Sequence, residues 1–110
     1  MNVTVEKVGN VNVYYIEGRL DSNTAGSLEK KLIPAINPEE KQFVLDFSEL
    51  EYISSAGLRV LLQAAKKLNQ ISGALVLCSA KDEIKEVFDI AGLSPIFPTY
   101  IDLDDAINNI

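Results

Sequence analysis

Hydrophobic positions in this chain follow two periods, and the switches between them mark out its elements. Val3, Val5 and Lys7 alternate with Asn2, Thr4 and Glu6. Val11, Val13 and Tyr15 alternate with Asn12, Tyr14 and Ile16. Period-two alternation signals a strand, and the intervening Gly9-Asn10 suits a two-residue hairpin turn. An antiparallel hairpin over 2–8 and 11–17 is therefore predicted. Gly18-Arg19-Leu20-Asp21-Ser22 breaks the second strand, and Asp21 or Ser22 has the side chain to cap a helix. Ala25, Leu28, Leu32, Ala35 and Ile36 then recur at helical spacing, with Glu29, Lys30 and Lys31 on the other face. Pro34 stops or bends that helix, and 37–41 reads as a loop.

Phe43-Val44-Leu45-Asp46-Phe47 is almost continuously apolar, the pattern of a strand covered on both faces in a parallel sheet. Residues 48–52 read as a connection. Leu58, Leu61, Leu62, Ala65 and Leu68 form one stripe of the next helix, which Ser72-Gly73 ends. Ala74 to Cys78 is a second buried strand. Strand, helix, strand in this order predicts a right-handed crossover. Ser79-Ala80-Lys81-Asp82 resembles a capping box ahead of Ile84, Val87, Phe88 and Ala91, and Gly92 is a suitable stop. Pro95–Pro98 allows only a short edge strand. A last short helix begins near Asp102. The sum is one α/β domain over 1–110. Its mixed sheet has about five strands, an antiparallel hairpin followed by parallel crossovers, and three or four helices cover it.

Composition narrows the function. The 110 residues are 47% hydrophobic, enough for a core. The net charge of -6 disfavours a nucleic-acid ligand, because phosphate contacts need a basic surface. Lys30-Lys31 and Lys66-Lys67 read as solvated helix faces. A single cysteine, Cys78, closes an apolar run and reads as a buried thiol, compatible with a reducing cytoplasm. With no histidine, the usual structural zinc sites and a Ser-His-Asp triad are excluded. No apolar run reaches the length of a membrane span, and the first residues do not read as a secretory leader.

The chemistry concentrates at Tyr52-Ile53-Ser54-Ser55-Ala56-Gly57-Leu58-Arg59, where a helix opens. Two other helix starts carry acids, Asp82-Glu83 and Asp104-Asp105, which favour the positive end of the helix dipole. The start at Ser55 carries none. Gly57 costs about 0.5–1 kcal/mol against alanine inside a helix, so it needs a reason. One reason is close packing. The other is an open helix tip to which a partner and a phosphate have access.

These residues resemble the anti-sigma factor antagonists of the STAS domain family. The likeness is carried by Gly18-Arg19-Leu20-Asp21 with Thr24-Ala25, by Leu45-Asp46-Phe47-Ser48 through Ser54-Ser55-Ala56-Gly57-Leu58, and by Val87-Phe88-Asp89-Ile90-Ala91-Gly92-Leu93. It spans essentially the whole chain. It implies a STAS fold and a protein that binds an anti-sigma factor which is also a serine kinase, so releasing a sigma factor. It implies phosphorylation of the antagonist by that kinase and resetting by a serine phosphatase. ATP and magnesium would belong to the kinase, and the chain itself would need no cofactor or metal. It implies Ser55 as the phosphoacceptor in preference to Ser54, which stands where the antagonists carry aspartate. The expected partner-binding set is Asp21, Asp46, Ser54, Ser55, Ala56, Gly57 and Arg59. A non-enzymatic, monomeric, cytoplasmic regulator is implied, with no nucleic acid or membrane as partner. The alternative is a STAS scaffold or ligand-binding subunit of a stress-signalling or transport complex. An enzyme is disfavoured, because no histidine can serve Ser55 as base and Lys66 and Lys67 lie over two turns away.

Overall fold

A computed structural model describes residues 1–110. The hairpin forms as the alternation predicts, with β1 at Asn2–Val8 and β2 at Val11–Leu20, antiparallel from Asn2↔Glu17 to Val8↔Val11. β2 does not stop at residue 17. Gly18 takes φ +87°, a left-handed conformation that a β-carbon would strain, and the strand resumes through Arg19 and Leu20. Helix α1, Ala25–Leu32, begins later than the sequence suggests and has no side-chain cap. Asp21 instead folds the turn before it, accepting the Asn23 N–H at 2.9 Å, while Thr24 Oγ1 accepts the Asp21 N–H. Pro34 lies in a single 3-10 turn, Ile33–Ala35.

β3, Gln42–Asp46, joins β2 in parallel with Tyr15↔Asp46 as the last pair. A strand then appears where a connection was predicted: β4, Leu50–Ile53, runs parallel to the end of β2. Its register shifts between Gly18↔Leu50 and Arg19↔Tyr52, so Glu51 is an extra bulged residue. Helix α2 follows at Ser55–Gln70, then β5 at Ala74–Cys78, parallel to β3. Helix α3, Asp82–Ile90, starts without the expected capping box: Ser79 adopts φ +59° and Lys81 occupies the cap position with no side-chain bond. The edge strand forms at β6, Thr99–Tyr100, just past the predicted prolines. Asp102 caps α4, Leu103–Asn109, by accepting the Asp105 N–H at 2.9 Å.

The sheet runs β1-β2-β3-β5-β6, with β4 extending the β3 lane beside β2. Its front face meets α1, α2 and α3 through Ile16, Leu28, Leu45, Leu61, Leu68, Leu77 and Phe88. A fully buried leucine such as Leu61 stabilises by about 1.5–3 kcal/mol. The back face is smaller, with Val13, Val44, Val76 and Cys78 beneath Ala106 of α4. Cys78 is buried as expected, and burial together with the nearby Asp46 charge pushes its thiol up to about 12. On the same face Tyr15 donates to Glu6 at 2.7 Å, which pushes its hydroxyl up to about 12. No helix is long and apolar enough to cross a membrane.

Candidate functional site

The site forms where β2 and β4 end together. Leu20 pairs with Ile53, and the Ser54 N–H donates to the Leu20 carbonyl at 2.9 Å. That bond fixes the residue just ahead of α2 against the last residue of β2. The chain then turns from extended to helical at Ser54, with φ −99° and ψ 173°. Ser54 is the N-cap: its hydroxyl accepts the Gly57 N–H at 3.3 Å and its carbonyl accepts the Leu58 N–H at 2.9 Å.

The two adjacent serines therefore have different situations. Ser54 is half-buried and holds the helix end, whereas Ser55 is exposed at the first helical position. The first-turn amides of Ser55 and Ala56 have no intrahelical acceptor, because no carbonyl lies four residues back within the helix. The first turn contains no acid, so the positive end of the dipole meets no fixed negative charge. Arg59 is exposed one turn further on, at the i+4 position that shares a face with Ser55.

Gly57 is not part of the accessible surface. A β-carbon there would sit 2.7 Å from Leu20 Cγ, 3.0 Å from Ile53 Cγ1 and 3.1 Å from the Leu20 carbonyl oxygen. The close-packing reason for this glycine is the one the fold uses. Ala56 is half-buried against the main core.

The two acids in the expected set separate. Asp21 follows Leu20 directly and so lies beside Ser54 at the strand ends. Its bonds to the Asn23 amide and the Thr24 hydroxyl hold its carboxyl below the usual aspartate value. Asp46 lies elsewhere. It pairs with Tyr15, five residues before Leu20 on β2, about 16 Å along the strand at ordinary rise. It is buried on the back face and accepts the Ser48 N–H at 2.9 Å, which closes the turn into β4. Asp46 thus shapes the β3–β4 turn, and the fold does not bring it to Ser55.

Sequence reasoning missed two residues at the site. Arg19 faces Tyr52 across the β2–β4 pair, its guanidinium carbon 4.1 Å from the ring centroid. Arg19 Nε also lies 3.7 Å from Asp21 Oδ2. The available signal was the proximity of Arg19 to Asp21 in sequence. The partner Tyr52 is hidden because residues 48–52 carry the sequence pattern of a connection.

Residues 2–106 match the profile of the STAS domain. The chain belongs to the STAS domain family. BtrV of Bordetella bronchiseptica, provisionally named an anti-sigma factor antagonist, is 43% identical to this STAS domain over 98 residues, 89% of this chain and 84% of BtrV. The crystal structure of an anti-sigma factor antagonist from Mycobacterium paratuberculosis superimposes with a TM-score of 0.87 at 28% identity, covering 97% of this chain and 91% of the other. The fold is also that of SpoIIAA, an anti-sigma factor antagonist solved in its unphosphorylated form, at TM-score 0.76 and 20% identity over 99% and 100% of the two chains. SpoIIAA of Bacillus has been solved in a phosphorylated form as well. The STAS assignment drawn from the three sequence segments is therefore borne out, and so is the mixed sheet that opens with a hairpin. This STAS domain has six strands rather than about five, β4 being the addition.

Proposed function

We propose that this STAS domain is a phosphorylation-switched antagonist. It binds an anti-sigma factor that is also a serine kinase, and so releases a sigma factor for transcription. The partner kinase, holding ATP and magnesium, transfers phosphate to Ser55, and a serine phosphatase removes it. The observation that carries the reading is the division of labour between the serines. Ser55 is exposed on a helix tip free of acids, while the Ser54 hydroxyl is engaged as the cap. The antagonist names of its relatives and the two solved forms of SpoIIAA support it.

A phosphoserine adds nearly two negative charges and three acceptor oxygens. At the first position of α2 these meet free amides and a positive dipole end, so the fold tolerates them. A partner seated on the same tip meets an uncompensated dianion. Driving a complex from 99% to 1% formed takes about 5.5 kcal/mol of differential binding. Desolvating a poorly paired dianion at an interface supplies several kcal/mol of that.

The test is incubation with the cognate anti-sigma factor and magnesium ATP, read by intact mass and peptide mapping. One phosphate at Ser55 is expected, retained in Ser54→Ala and lost in Ser55→Ala. Partner binding should survive Ser55→Ala and weaken in Ser55→Asp. No phosphate on either serine, or equal binding by Ser55→Asp and Ser55→Ala, overturns the reading.

A further inference from the structure

The chain has only two arginines, and they flank the two serines. Arg59 lies one turn into α2. Arg19 lies at the end of β2, next to Leu20, whose carbonyl accepts the Ser54 N–H. We propose that Arg19, held by Tyr52 and Asp21, is a specificity-determining contact that receives a carboxylate on the partner's surface. This deepens the proposed antagonist role and rests on it.

Three features carry the assignment. The first is preorganisation without burial. The Arg19 side chain is 59% exposed, yet its guanidinium is stacked on Tyr52 and paired with Asp21. Holding an arginine in place removes part of the rotamer entropy that binding would otherwise cost. The second is the bulge. Glu51 is the extra residue that breaks the even register of β4, and past it Tyr52 stands opposite Arg19 while Ile53 turns inward beside Leu20. Bulges of this kind re-aim a side chain at an edge. The third is charge. Glu17 and Glu51 are exposed nearby and the chain carries -6 overall, so Arg19, the one cation on β2 or β4, is the single place on these strands that attracts a carboxylate. Arg19 and Tyr52 are the residue types that dominate interface energetics, and they adjoin the serine pair in register.

Binding of the cognate anti-sigma factor should be measured by calorimetry at 50 and 300 mM sodium chloride. The proteins are wild type, Arg19→Glu, Arg19→Lys and Tyr52→Ala, each checked by thermal melt. Wild-type affinity should fall with salt. Arg19→Glu should bind at least thirtyfold more weakly at low salt and recover as salt rises, because repulsion is screened. Arg19→Lys keeps the charge but loses the planar stack, and with Tyr52→Ala it should lose about three- to tenfold. A folded wild type that does not bind sinks the proposed function and this contact with it. A wild type that binds, with Arg19→Glu within twofold of it at both salts, overturns the contact alone.

Discussion

A β-carbon placed on Gly57 would lie 2.7 Å from Cγ of Leu20, well inside the 3.5–4.0 Å of a relaxed carbon contact. Helix α2 reaches the end of β2 only because residue 57 has no side chain. Gly57→Ala gains about 1 kcal/mol of helix propensity and loses about 1–3 kcal/mol to overpacking. The Leu20 carbonyl, 3.1 Å from the new carbon, is itself held by the Ser54 N–H, so the backbone cannot retreat cheaply. The overpacking cost therefore falls in the upper part of its range, at about 2–3 kcal/mol, and a net destabilisation of about 1–2 kcal/mol is expected in urea unfolding. An unchanged or raised midpoint would show that the α2–β2 contact is loose.

The two serines should separate in stability as well as in modification. Ser54→Ala removes the acceptor of the Gly57 N–H and should cost about 1 kcal/mol. Ser55→Ala touches an exposed side chain that caps nothing and should change stability by less than about 0.5 kcal/mol. Chemical denaturation of both variants checks this. The reverse ranking would mean that Ser55 holds the helix end.

The sequence shows most of the frame and less of the site, for identifiable reasons. Covered strands such as Phe43–Phe47 and Ala74–Cys78 are legible because parallel strands are apolar throughout. The strand β4 escapes because Leu50 and Ile53 both turn inward three residues apart, a spacing that only the Glu51 bulge permits. Asp21 reads as a helix cap because aspartate suits that position, yet its carboxylate accepts the Asn23 N–H and the Thr24 hydroxyl in the turn before α1. The Ser79 motif fails because Ser79 takes a left-handed φ of 59° and the helix starts two residues later. At the site, Ser54, Ser55 and Arg59 are placed by helical spacing alone. Arg19 against Tyr52 depends on strand pairing between segments over thirty residues apart, and no local pattern encodes that.

The thiol of Cys78 should report unfolding. Its folded value of about 12 lies above the ordinary 9.0. At pH 8 that difference leaves about a thousandfold less thiolate than in the unfolded chain, and burial blocks access as well. Alkylation by iodoacetamide should therefore be slow in buffer and fast in urea. The sign of the pH dependence follows. Between pH 9 and 12 the unfolded chain has released the thiol proton and the folded chain retains it, so stability falls as pH rises. Cys78→Ala should flatten that part of the curve. Rapid native labelling, or parallel curves for the two proteins, would contradict the buried position.

Ser55→Asp should stabilise the fold even as it weakens partner binding, and the two effects have one electrostatic origin. The first turn of α2 has no acid, so a carboxylate at residue 55 faces the positive dipole end and contributes about 0.3–1 kcal/mol. Arg59 stands at i+4 on the same exposed face and adds about 0.2–0.5 kcal/mol through the ion pair. Both terms are screened, so the gain should shrink between 50 and 500 mM sodium chloride. Arg59→Ala in the Ser55→Asp background should remove the smaller share and leave the larger. Thermal melts of the four proteins at two salts give the cycle. A destabilised Ser55→Asp would place the side chain against an acidic or apolar neighbour. Any loss of partner binding in that variant would then come from damaged structure, and the case for a switch at this tip would fail with it.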